Sequence, residues 1–228
     1  MHVIAAVDLI VAAGPEEAAA RVAELLADSA RAGGQIALAG GSTPRRAYEL
    51  AAALEPDWSA AGLWFGDERC VPPDDARSNY RLARESLLDH LTKPPTVHRV
   101  RGELDPHEAA EAYELELFGT TLDLVVLGIG PDGHTASLFP NAPSLDERER
   151  LAVAAAPGAD PQVERVTLTI PAIGAAKHVV FLAVGADKAD AVDRVFARPP
   201  DPAVPASLVR SAVGATTAVV DRAAADHL

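Results

Sequence analysis

Short apolar runs alternate along the chain with stretches whose apolar positions recur at helical spacing. Val3 to Val11 is apolar apart from Asp8 and predicts a first strand. Gly14-Pro15-Glu16-Glu17 then opens a helix, because proline suits the first turn and acids suit its positive end. Val22, Leu25, Leu26 and Ser29 fall on one face of that helix, and Gly33-Gly34 stops it. Further strands are predicted at Gln35–Ala39, Leu63–Phe65, Val97–Val100, Leu122–Leu127, Arg165–Ile170 and His178–Val184. Helices are predicted over Pro44–Leu54, Tyr80–Leu91, Pro106–Phe118 and Gly185–Phe196, and Asn141–Arg150 as a polar loop. There is no internal repeat and no break in composition. Alternating strand and helix therefore predicts one α/β domain over residues 1–228, with a mostly parallel sheet flanked by helices. In such sheets ligands bind beyond the carboxyl ends of the strands, so the strand-to-helix loops are where chemistry is expected.

Composition narrows the partners. Apolar residues are 49% of the 228, enough for a sizeable core. Lys plus Arg is 20 and Asp plus Glu is 33, a net charge of −13, which disfavours polyanionic nucleic acid or an anionic membrane surface as the main partner. A small anionic substrate responds to local charge and is not excluded. The single cysteine, Cys70, rules out an intrachain disulfide. No apolar stretch has the length of a membrane span, and the N-terminus does not resemble a secretory signal, so the expectation is a cytoplasmic protein.

Four regions carry candidate chemistry. Gly40-Gly41-Ser42-Thr43-Pro44 joins a strand to a helix: glycines admit close approach, Ser42 or Thr43 suits the cap, and the first-turn N–H groups suit an anion. It also fits a plain capped turn. Gly66 to Pro72 sets Asp67 and Arg69 two residues apart, on one side of an extended chain, either as active groups or as a solvated ion pair. Gly128-Ile129-Gly130-Pro131-Asp132-Gly133-His134 matches G-x-G-x-x-G, but Pro140 leaves no room for the long helix that a dinucleotide site needs. A histidine there is well placed for proton transfer, with Asp132 to orient it. Arg165 and Lys188, near strand ends, are candidates to clamp an anion. No histidine has metal-ligand spacing with His134, so no metal is expected.

Together these blocks resemble the 6-phosphogluconolactonases, in the superfamily shared with glucosamine-6-phosphate deaminase. The likeness is carried by Ala39 to Pro44, by Gly66 to Pro72 with Ser78-Asn79-Tyr80, by Gly128 to Pro140, and by Arg165-Val166-Thr167 with Gly185 to Lys188. The resemblance implies a Rossmann-like core, no cofactor, and hydrolysis of a phosphorylated sugar lactone in the oxidative pentose phosphate pathway. It implies His134 as general base, Asp67 and Arg69 near the lactone, and a phosphate pocket from Gly40, Gly41, Ser42, Thr43, Arg165 and Lys188. The rivals are the deaminase and a non-catalytic sugar-phosphate sensor. Deaminases carry an acid shortly after the histidine, whereas Thr135 to Pro140 has none, which favours the lactonase.

Overall fold

The computed structural model describes residues 7–228. In chain order the elements are β1 (Val7–Ala12), α1 (Pro15–Arg31), β2 (Gln35–Leu38), α2 (Arg45–Leu54), β3 (Gly62–Phe65), β4 (Asp67–Arg69), α3 (Asn79–Ser86) and β5 (Thr96–Val97). Then follow α4 (Pro106–Leu117), β6 (Leu124–Gly128), β7 (Ala152–Ala155), β8 (Arg165–Leu168), α5 (Ile170–Gly174), β9 (His178–Ala183), α6 (Ala189–Phe196) and β10 (Ala215–Asp221). Seven strands form one all-parallel sheet in the order β1-β10-β9-β6-β2-β3-β5. Its inner strands are near-continuous apolar runs because helices cover both faces. One face packs Leu26, Tyr48 and Phe65 with α1 and α2, and the other packs Trp64, Tyr113 and Phe181 with α4 and α6.

Several expectations need correction. Arg165–Leu168 is a strand, but it is not in the parallel sheet. It pairs antiparallel with β4 and with β7, so that Asp67–Arg69, expected in a loop, forms the edge of a second, three-stranded sheet. Neither β7, made of small residues, nor the five-residue α5 carried a period in the sequence. The strand β10 was equally unread. Tyr80–Leu91 is not one helix: α3 stops at Ser86 and a 3-10 turn follows at Leu88–His90. The first strand begins at Val7 as described; Val3 to Ala6 lie outside the described residues.

The order of strands locates the site. From β2 the chain moves through β3 towards β5, and from β6 it moves the other way through β9 to β10, which lies beside the first strand β1. The two directions part between β2 and β6, where the outgoing loops diverge and leave a crevice. Two buried tyrosines fix the strand ends on this side. The Tyr48 hydroxyl donates to the Ala39 carbonyl (2.7 Å) and accepts from the Ala39 N–H (2.9 Å). Tyr113 does the same for Phe65, at 2.9 and 2.8 Å. Each hydroxyl satisfies two main-chain groups where a strand gives way to a loop.

Tyr113→Phe removes one oxygen and orphans both groups of Phe65. The expected loss is about 1–3 kcal/mol, the desolvation cost of unpaired buried polar groups. Leu115→Ala, at a side chain 77% exposed, serves as control and should stay within about 0.5 kcal/mol. Urea denaturation midpoints at unchanged m-value measure both; equal costs would refute the role given to the hydroxyl.

Candidate active site

The loops after β2 and β6 face each other across a cleft of ≈ 230 Å³. Gly40, Gly41, Ser42, Thr43, Asp67, Arg69, His134, Arg165 and Lys188 all line it, and Asp132 stands directly behind His134. The structure therefore gathers every candidate into one place.

His134 sits in a tight turn. Its Nδ1 is 2.5 Å from Asp132 Oδ1, and its main-chain N–H donates to the same oxygen at 3.1 Å. An ionised carboxylate only accepts, so Nδ1 carries the proton and Nε2 keeps its lone pair. Nε2 has no protein partner among the described residues. Burial pushes the Asp132 carboxyl up, but the His134 N–H and the imidazole outweigh it and hold the carboxyl below its ordinary range. Gly130 makes the pair possible: a Cβ there would lie 2.1 Å from His134 Nδ1. Beyond the histidine, Ala136 is held at φ 48°, in the left-handed region that a residue with a Cβ adopts only at a cost. That bend turns Ser137 inward.

Ser137 meets β4. Its hydroxyl donates to Asp67 Oδ2 at 2.6 Å, and the Asn79 amide donates to Asp67 Oδ1 (3.0 Å) and to the Asp67 carbonyl (2.8 Å). The neighbouring Glu68 points to the other side of the strand and is 2% exposed. Its carboxylate accepts from the N–H groups of Arg69, Asn79 and Tyr80 and from the Ser78 hydroxyl. Burial pushes its pKa up against the pull of those N–H donors. The three-residue strand is thus anchored to the start of α3 on one side and to the His134 loop on the other. Asp67 is consequently not a free base, since protein donors occupy both its oxygens.

The cations are held differently from one another. Arg165, expected as an open clamp, is 3% exposed; its Nε donates to Val163 O and its Nη2 to the carbonyls of Ala159 and Pro161. Burial lowers its pKa, the Asp67 charge opposes this, and Arg69 lowers it further. Only Nη1 is left without a hydrogen bond, so Arg165 braces the segment 159–163 as well as lining the cleft. Arg69 is its directly opposed cross-strand partner. Two like charges at that position are unfavourable unless an anion lies between or beside them. Lys188 ends a 3-10 turn that begins after Gly185, and its nearest carboxylate is that of Asp187 at 3.8 Å. Neither Ser42 nor Thr43 caps α2 with its side chain, against expectation; Pro44 occupies that position, and the first N–H groups stay unpaired by a cap.

Three contributors have no role assigned from the sequence, although Asn79 and Ser137 stand within the blocks that carry the family resemblance. Asn79 and Ser137 hold Asp67, and Asp221, at the end of β10, accepts from the Gly185 N–H at 3.0 Å and so fixes the Lys188 turn. Cys70 is no nucleophile: burial pushes its thiol up to about 11. Among the described residues no three His, Cys, Asp or Glu side chains converge as metal ligands.

Residues 10–218 match the family described as glucosamine-6-phosphate isomerases/6-phosphogluconolactonase. The chain belongs to this family. It is 39% identical to a 6-phosphogluconolactonase of Homo sapiens, over 92% of this chain and 89% of the relative, and 37% identical to one of Haemophilus influenzae, over 83% and 85%. The solved 6-phosphogluconolactonase of Trypanosoma brucei superposes with a TM-score of 0.88 at 30% identity, covering 99% of this chain and 100% of that one. A monomeric glucosamine-6-phosphate deaminase superposes with a TM-score of 0.85 at 21% identity, which shows the shared fold alone. Within this family the backbone does not separate the two chemistries, and the residues in the cleft must.

One feature of the cleft can be tested by stability. A Cβ on Gly40 would fall 1.9 Å from Asn79 Oδ1, a buried oxygen with no hydrogen-bond partner. Gly40→Ala should therefore be destabilising alone, by about 1–3 kcal/mol as overpacking goes. In the Asn79→Ala background the same change should cost far less. A double-mutant cycle should show coupling of about 1 kcal/mol or more, as expected for residues in contact. Additive costs would mean that the loop and the asparagine do not meet as described.

Proposed function

We propose that this chain is a 6-phosphogluconolactonase that hydrolyses the ester bond of 6-phospho-D-glucono-1,5-lactone through His134. The observation that carries the reading is the fixed tautomer: Asp132 holds Nδ1–H, which leaves a basic Nε2 in a cleft that also gathers Lys188, Arg69 and the Gly40–Thr43 loop. Neutral Nε2 takes a proton from water as the water oxygen adds to C1. The tetrahedral oxyanion is met by Arg69 or by loop N–H groups. It collapses with cleavage of the bond between C1 and the ring oxygen, and the imidazolium returns its proton to that oxygen. Asp132 stabilises the transient imidazolium. The lactone carbonyl is electrophilic enough that no covalent nucleophile is needed. The phosphate, distant from C1, is assigned to Lys188, Nη1 of Arg165 and the uncapped start of α2, and it supplies binding energy for orientation. Asp67 acts as a fixed negative charge that orders Ser137 and the histidine loop. The same proposal places the protein in the cytoplasm, acting on a small phosphosugar with no organic cofactor.

His134→Asn keeps the shape but not the basicity, and should lower kcat by about 10² or more, as removal of a positioned general base does. Hydrolysis of freshly made lactone, with the spontaneous rate subtracted, measures it; a wild-type kcat would move the base elsewhere. Ammonia release from glucosamine-6-phosphate should be absent, because Thr135 to Pro140 holds no acid for the extra proton relay. Ammonia at a comparable rate would assign the chain to the isomerase–deaminase branch.

Lys188→Ala should lower kcat/KM about 10- to 150-fold on the phosphorylated lactone, the worth of one charge-assisted hydrogen bond. Unphosphorylated glucono-δ-lactone should be a poor substrate whose turnover the variant barely changes. Equal losses on both substrates would place Lys188 at the reacting end.

A further inference from the structure

A second groove, of ≈ 350 Å³, opens between α2 and α3 on the far side of the Gly41–Ser42 turn. It shares Gly41, Ser42 and Arg69 with the cleft and adds Arg45, Arg81 and Glu85. Three guanidiniums face one carboxylate here, a local surplus of two positive charges on a chain of net charge −13. Glu85 does not exhaust them. It takes Arg81 Nε at 2.6 Å and stands 3.5 Å from Arg45 Nη2, while Arg69 donates Nη1 to the Arg77 carbonyl at 2.7 Å and pairs with no carboxylate among the described residues. The placement also runs against local preference. A helix N-terminus favours acids and disfavours cations. Among the described helices of eight or more residues, α1, α4 and α6 carry acids in the first turn. Only α2 and α3, the two that border the groove, carry none, and they place Arg45 and Arg81 there instead.

We propose that this groove is a second anion site, in which Arg45, Arg81 and the outer side of Arg69 hold the phosphate of a phosphate monoester at the mouth of the cleft. Resting on the lactonase reading, its role is to gather the phosphosugar against the repulsion of the acidic surface and pass it across Arg69 to the inner site. A local cationic surface of this kind raises the concentration of an anionic ligand where the global charge lowers it. Anions on the two sides of the Arg69 side chain, one in the groove and one in the cleft, offset the opposed Arg69–Arg165 pair.

Titration of the 15N-labelled protein with inorganic phosphate at low ionic strength tests this by NMR. Two saturable responses are expected, one at the amides of Ala76 and Leu82 in the groove, one at Gly130 and Ala136 in the cleft. In the double variant Arg45→Gln/Arg81→Gln, groove affinity should fall about tenfold or more, the worth of a lost charge-assisted contact, while the cleft response persists. In Lys188→Ala the groove response should persist and the cleft response weaken. The proposal is overturned if Ala76 and Leu82 stay silent where the cleft saturates, if the double variant leaves their affinity unchanged, or if gluconate, which lacks phosphate, shifts them equally. Failure of the wild type to hydrolyse the lactone would instead remove the lactonase reading, and the phosphate titration would still report on the groove.

Discussion

Two adjacent carboxylates, Asp67 and Glu68, leave water on a strand of only three residues, and the site is arranged around satisfying them. An ionised carboxylate out of water costs several kcal/mol unless donors meet it. Here the donors come chiefly from two separate places in the chain. The start of α3 supplies N–H groups to Glu68, Asn79 supplies its amide to Asp67, and the turn after His134 supplies the Ser137 hydroxyl. Because the two side chains project to opposite sides of one strand, β4 becomes a hub. It cannot shift without stripping donors from one carboxylate or the other. The strained backbone at Ala136 is held by the same contacts, since it delivers Ser137 to Asp67.

The hub gives His134 a rigid floor, and Asp132 gives it a tautomer. In the proposed mechanism, preorganisation of this kind lets a single base suffice. The lactone provides the electrophile, and the protein needs only to hold the lone pair, the water and the carbonyl in register. Every group that enforces this register is polar and buried or half-buried. Loss of one partner therefore lowers both stability and activity, and the two readouts must be separated in any mutational series.

Charge follows a division of labour between the whole surface and the cleft. The acidic surface repels a phosphosugar, and the compensating cations are concentrated on β4, β8, the Lys188 turn and the starts of α2 and α3. Arg165 is committed mostly to main-chain carbonyls, whereas Arg69 gives only Nη1 to the Arg77 carbonyl and Lys188 only approaches Asp187. That distribution explains how a chain of net charge −13 accommodates an anion.

The alternation of apolar runs and amphipathic stretches specified the parallel core apart from β10, because strands buried on both faces read as short apolar runs and helices buried on one face as a helical period. Loop chemistry was legible too: glycines beside a histidine and an aspartate within two residues of it encode a local turn, and Asp132–His134 is set by that turn alone. What stayed hidden depends on contacts far apart in sequence. Nothing near Asp67 announces that Ser137, seventy residues on, will donate to it. Nothing near Arg165 shows that its strand leaves the main sheet to pair antiparallel with β4. The small-residue strand β7 and the short α5 carry no period, since burial by neighbours rather than their own pattern stabilises them. The sequence by itself determined most of the parallel core, the ring of loops and the Asp132–His134 turn. Only tertiary structure decided which candidates are free to act and which are tied down, because a hydrogen bond between distant segments exists only once the sheet has brought them together.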